Sequence, residues 1–224
     1  MNFDWMPIVL SLKLAVITTI VLFVIGVPLA YWLAFTQKRW RIIIDPLVSL
    51  PLVLPPTVIG FYLLLLMSPQ SFFGKWMETV FNIRLVFSFS GLVIGSVIFS
   101  LPFMVNTVKS GFQSIPVSLI ESSYTLGKSR WETFLQVLTP INRPAILSGI
   151  IMTFAHTLGE FGVVLMVGGN IPRQTRTASI AIYNEFEALN YATAHMYSFV
   201  LIIISFVILI GVNSLTKNKA KVVA

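Results

Sequence analysis

A chain of 224 residues that is 56% hydrophobic and only 10% charged is excluded from the ordinary soluble domains, in which about a quarter of residues are charged. The absence of cysteine excludes disulfides and thiolate metal sites, and no metal site is expected. The net charge of +7 invites a nucleic-acid partner, but the basic residues border apolar spans, so they read as topology signals and no nucleic acid is expected.

Five stretches are apolar over the roughly 20 residues that a helix needs to cross a bilayer. The expected fold is an all-α integral membrane protein. Residues 1–224 form one transmembrane domain, with spans at about 14–35, 47–67, 88–108, 145–167 and 196–215. The first span is too long for a cleaved signal peptide. Asp4 and Lys13 precede it, and Tyr31-Trp32 reads as an interfacial anchor.

Span two opens with Pro46, Pro51, Pro55, Pro56 and Thr57, followed by Gly60. Each proline removes a backbone donor, so the freed carbonyls require neighbouring protein or a hydrated cavity. A bent, pathway-lining helix and a kinked packing helix both fit. Residues 69–86 mix Lys75, Glu78 and Arg84 with Phe72, Phe73, Trp76 and Phe81. That composition suits an interfacial amphipathic helix better than a sixth span.

Between spans three and four, residues 109–144 contain two consecutive helix starts. Ser118 and Glu121 fit a capping box, and Gly127 is placed to end the first short helix in a left-handed conformation. Ser129 and Glu132 repeat the box, and Pro140 follows the second helix. The expected unit is helix, glycine turn, helix.

Span four carries His156, Thr157 and Glu160, with Gly159 and Gly162 around the acid. His156 and Glu160 share a face if the helix persists, and an ionisable residue within a span points to function. A Glu that only holds helices together is the competing reading. The loop beyond it, Gly168 to Thr177, contains Asn170, Arg173 and Arg176. Its arginines either draw an anion, dock an acidic partner, or are ordinary loop charges, with Glu185 and Glu187 diluting the field.

Orientation follows from the basic residues. Ten (Lys38, Arg39, Arg41, Lys109, Lys128, Arg130, Arg143, Lys217, Lys219 and Lys221) fall on one side of a five-span chain, against five (Lys13, Lys75, Arg84, Arg173 and Arg176) on the other. The amino terminus is therefore expected outside and the carboxyl terminus in the cytoplasm, which places the capped helical pair in the cytoplasm.

The helical pair resembles the coupling loop of ABC importer permeases: Glu121, Gly127, Phe134, Val137 and Pro140 match its pattern, with Ser122 and Ser123 in place of two alanines. The run Gly159-Glu-Phe-Gly162, continuing to Gly169-Asn-Ile-Pro172 and Thr177, is similar to the molybdate branch of that family, as is Leu54-Pro-Pro-Thr-Val-Ile-Gly60. The resemblance implies a multi-pass protein of a bacterial or archaeal inner membrane that imports molybdate, with tungstate not separable and sulfate or another oxyanion the alternative. It implies two ATPase subunits that bind ATP and magnesium, leaving no cofactor in this chain, and an external oxyanion-binding protein. Glu121, Ser122, Ser123, Gly127, Phe134 and Pro140 would couple to the ATPase. Pro55, Pro56, Thr57, His156, Thr157 and Glu160 are pathway or gate candidates. Asn170, Arg173 and Arg176 are candidates for external oxyanion or binding-protein contact.

Five helices are few to enclose a path for a dianion, so a second copy of the chain is expected, with the route on the twofold axis. Because a carboxylate repels an anion, Glu160 suits a gate or scaffold better than a cargo contact. Enzyme readings lose on spacing. Gly127-Lys128-Ser129 lacks the earlier glycine of a phosphate loop, since position 122 is Ser. His156 has no adjacent Glu and no second His one turn on, and there is no Gly-x-Ser-x-Gly elbow. A channel, a carrier or a membrane enzyme would also have no use for a coupling loop.

Overall fold

A computed structural model describes residues 3–220, with side chains over residues 3–210. The side chains of Lys217, Lys219 and Lys221, which entered the orientation argument, lie outside those described. Among the described residues every regular element is helical.

Helix α1 (Met6–Phe35) begins eight residues before the expected span. The Asp4 carboxylate accepts the Met6 N–H at 3.0 Å, and Pro7 sits in the first turn, where its missing donor costs nothing. Lys13 is consequently inside the helix, its ammonium 4.6 Å from the Phe89 ring centroid. This is a cation–π contact made by an exposed side chain.

The second expected span is two helices. Helix α2 (Arg41–Ser49) runs on through a 3₁₀ turn to Leu52, and α3 (Pro56–Met67) leaves it at 110°. Pro55 and Pro56 cause the bend, because a residue before proline is driven out of the helical region; Pro55 itself has ψ 137°. Helix α4 (Phe72–Phe81) is capped by Ser71 and closed by left-handed Asn82. Its 10 residues are too few to span a bilayer, as the sequence predicts.

Helix α5 (Phe89–Gln113) is the central post. It runs parallel to α1: Leu14 meets Leu92 in one cluster, and Tyr31 meets Phe112 with ring centroids 5.7 Å apart. After α6 (Val117–Thr125) and α7 (Arg130–Ile141), helix α8 (Arg143–Gly159) bends away from α7 by 74°. It returns antiparallel to α5, held by Asn142 Nδ2 on the Val108 carbonyl and by Thr157 on Ser100. The main core, with Leu22, Leu33, Met104, Val108, Phe112 and Leu138, fills the space between α1, α5, α7 and α8.

The fourth expected span is broken. Helix α8 stops at Gly159, Glu160 is extended (φ −65°, ψ 133°), and α9 (Gly162–Gly168) restarts the helix. Two glycines weaken the helix there, and the Ser179 hydroxyl donates to the Glu160 carbonyl at 2.6 Å. His156 and Glu160 therefore do not share a continuous helical face. Helices α10 (Ala178–Glu187) and α11 (Tyr191–Ala220) complete the chain. Among the described residues three helices are long and apolar enough to cross a membrane, or up to five if each bent pair counts as one span.

Candidate functional site

Two regions gather the candidate residues: the helical pair α6–α7 and a cleft at the break between α8 and α9.

The pair forms locally, but not at every predicted cap. Helix α6 takes Pro116 as its N-cap, without any side-chain bond, so Ser118 lies inside the helix and the box with Glu121 does not form. Proline's fixed φ starts the helix earlier than Ser118 would. The second box is present: the Ser129 N–H donates to the Glu132 carboxylate at 2.7 Å, and the Glu132 N–H donates to Ser129 Oγ at 3.2 Å. The Ser129 hydroxyl beside it and the Ser129 N–H hold the Glu132 carboxyl below its usual range. Gly127 has φ +79° and no atom within 4 Å of where a Cβ would stand, so its requirement is conformational alone.

Pro140 does not end the second helix, which continues to Ile141 through a π-turn at Phe134–Leu138. The Thr139 N–H reaches the Phe134 carbonyl, five residues back, and this register shift lets the helix absorb a proline that would otherwise clash one turn earlier.

The pair has an inner and an outer side. Inward, Ser123 Oγ and Thr133 Oγ1 bond at 2.8 Å, joining α6 to α7. Phe134, 6% exposed, packs against Tyr31 of α1 at 4.6 Å and Phe112 of α5 at 6.1 Å between ring centroids. Outward, Glu121, Ser122 and Gly127 are exposed, together with Leu126 (80%) and Trp131 (65%). Of the six coupling candidates, Ser123 and Phe134 therefore fasten the unit while Glu121, Ser122 and Gly127 face away from the bundle; Pro140 sits half-buried at the joint.

The cleft, of about 640 Å³, is lined by Pro56 and Thr57 at the start of α3, Phe99 of α5, His156, and Glu160 with Gly162 at the break. Gly162 allows the approach: a Cβ there would stand 2.7 Å from Pro56 Cβ. His156 Nδ1 lies 2.9 Å from Ser100 Oγ, which also bonds Thr157, and the imidazole stacks on Phe103 with centroids 4.0 Å apart. Glu160 is 5% exposed, and neither carboxyl oxygen has a hydrogen-bond partner. The Ser96 hydroxyl lies beside it, outside hydrogen-bonding geometry. Pro55 and Thr157 do not line this cleft. Pro55 caps α3, and Thr157 is buried on the Thr153 carbonyl. A second cleft, about 920 Å³, opens between α10 and α11 on the other side of the break, and Gly159 and Phe161 line both.

The candidates on the loop after α9 divide. Asn170, left-handed at φ 58°, accepts from Arg176 Nε and from Asn184 Nδ2, each at 2.9 Å. Asn170 and Arg176 thus brace the loop, and Arg173 is exposed. Glu185 and Glu187 bond to Asn190 and Tyr183 of the same chain. Sequence reasoning missed Asn142, Ser100 and Ser179, whose partners lie 34, 56 and 19 residues away.

Residues 26–220 match the family described as binding-protein-dependent transport system inner membrane component. The chain is 44% identical over 217 residues to the molybdenum transport system permease protein ModB of Azotobacter vinelandii, covering 97% of this chain and 96% of that protein. It is 31% identical to the sulfate transport system permease protein CysT of Escherichia coli (strain K12), covering 86% of this chain and 69% of that protein. Among solved structures, an inward-facing form of the MetNI methionine ABC transporter matches with a TM-score of 0.75 at 15% identity, over 95% of this chain and 94% of that one. A bacterial alginate ABC transporter in complex with an alginate pentasaccharide-bound periplasmic protein matches with a TM-score of 0.74 at 17% identity, over 99% and 84%.

Proposed function

The chain belongs to the family of binding-protein-dependent transport system inner membrane components, and from that membership we propose that it is the membrane-spanning permease subunit of an ATP-driven importer carrying molybdate into the cytoplasm. The 44% identity to a molybdenum permease over nearly the whole of both chains favours molybdate over sulfate, whose permease is more distant. Tungstate, of the same shape and charge, is not distinguished.

One observation carries the mechanism: the α6–α7 pair is fastened to α1 and α5 on one side and turns an apolar-tipped, exposed surface outward on the other. That surface suits docking on a separate ATPase subunit, which supplies ATP and magnesium chemistry that this chain's own motifs lack. The orientation with the amino terminus outside and the carboxyl terminus in the cytoplasm puts the pair within the ATPase's reach. ATP binding draws the ATPases together, the pairs follow, and the pathway opens outward to an oxyanion-binding protein; hydrolysis resets it inward. A periplasmic protein bound to a transporter of the same fold supports that external partner.

Burying a bare dianion in low dielectric costs tens of kcal/mol on an idealised Born estimate, so the route must be polar and hydrated. We place it along the cleft at Pro56, Thr57, His156 and Glu160, completed by a second copy of the chain about a twofold axis. Glu160 acts there as a gate or scaffold residue, because its carboxyl would repel the cargo and its backbone is held by Ser179.

The test is cellular molybdenum in a deletion strain grown on scarce molybdate with excess sulfate. Restoring the gene should restore molybdenum, and restoring it with Gly127→Val should not, since a β-branched residue opposes φ +79°. Molybdenum that is unchanged by deletion, with no other uptake route active, moves the cargo to sulfate or another oxyanion. Full uptake by the Gly127→Val chain removes the coupling turn.

A further inference from the structure

We propose that the elbow at α2 is a binding site for one anionic phospholipid, with the headgroup on Lys38, Arg39 and Arg41 and an acyl chain in the groove below them. The inference rests on the chain lying in a membrane and is independent of its cargo.

Three cations stand within four residues at the start of α2, and among the described residues none has a carboxylate within ion-pair distance; the acid of this helix, Asp45, pairs with Lys109. Trp40, 67% exposed, stands among them as an interfacial anchor. Immediately after them the exposed face turns apolar, with Ile42 (75%), Ile43 and Leu47. Arg41 to Leu47 spans about 9 Å of helix axis, a separation that one lipid molecule can bridge from headgroup to acyl chain.

At Leu47 a groove of about 390 Å³ begins, roofed by the bend between α2 and α3 and floored by α5. Its lining, including Leu50, Leu54, Tyr62 and Ile98, is almost wholly apolar. Cations followed, less than two helical turns after Arg41, by an apolar slot match a negatively charged headgroup with its own hydrocarbon chain, and neither half suits a soluble anion or a neutral lipid as well. The elbow is also fixed in place: Asp45 pairs with Lys109, and Asn106 Nδ2 donates to Ser49 Oγ at 3.0 Å, so cations and groove keep their register on α5.

The experiment uses the complete transporter in nanodiscs holding equal phosphatidylglycerol and phosphatidylcholine, with retained lipid counted by native mass spectrometry. Wild type should retain phosphatidylglycerol in excess. The combined Lys38→Gln, Arg39→Gln, Arg41→Gln variant should lose roughly tenfold or more of that preference. The Lys75→Gln, Arg84→Gln control should keep it. Leu54→Trp, which fills the groove and leaves the cations intact, should lower retention as well. Equal retention of the two lipids by wild type overturns the proposal and needs no variant; so does a preference that survives loss of the three cations. Absence of any retained lipid, as expected if a second protein surface covers the groove, overturns it too.

Discussion

At Gly162 and Gly159, two glycines three residues apart in sequence, the structure makes opposite demands. A methyl group at Gly162 would stand 2.7 Å from Pro56 Cβ, whereas at Gly159 it meets nothing within 4 Å. Gly162→Ala should therefore push α9 off α3 at a cost of about 1–3 kcal/mol, and Gly159→Ala should not. Thermal unfolding of the purified transporter distinguishes them; equal midpoints would mean that the α3–α9 contact is looser than described. Glu160 presents the complementary case, since its carboxyl lacks partners while its carbonyl is held by Ser179. Glu160→Gln should leave oxyanion affinity within about twofold while raising basal ATP hydrolysis or leak, because an amide keeps the shape and removes the ionisable group. A changed affinity with intact coupling would instead make Glu160 a cargo contact.

Helix α7 shows what an element owes to its first turn. The Ser129–Glu132 box satisfies two orphan donors, and Ser129→Ala should cost about 1 kcal/mol of local stability, a roughly fivefold loss of amide protection at Glu132 by hydrogen exchange. Glu132's pKa is lowered in the folded state by the Ser129 side chain and by the Ser129 N–H. The sign is then fixed: the box's contribution is present above the unfolded carboxylate pKa and is lost as pH falls through the lower, folded one. Protection that is flat across that window would refute the box. This cap was legible in the sequence because both partners lie within one turn. The mirror-image box at Ser118 was not, because Pro116, two residues earlier, had already started the helix. Nor could local pattern show that Pro140 is absorbed by a π-turn, or that the helix through His156 stops before Glu160, where a hydroxyl 19 residues away takes the carbonyl. The turn at Gly127 and the three long apolar helices followed from composition and spacing. The cleft did not, since α3, α5, α8 and α9 each supply a wall.

For the whole molecule, the cleft's position decides what can be measured. Gly159 lines the clefts on both sides of the break, and the chain has no cysteine of its own. Gly159→Cys should therefore react with a membrane-impermeant maleimide at a rate that changes at least severalfold between nucleotide-free and ATP-trapped transporter. Ile202→Cys, on the exposed apolar face of α11, should stay slow in both. Equal, state-independent rates at the two positions would move the route away from the break. The aromatic knot of Phe134, Tyr31 and Phe112 joins the ends of α1 and α5 to the same exposed helical pair. A crank bolted to two shafts at one hub cannot turn one without the other. The stroke delivered to the membrane should then be indivisible: distances reported from α1 and from α5 should jump together between two values, and a graded, one-shaft-at-a-time motion should appear only when Phe134→Ala has loosened the hub.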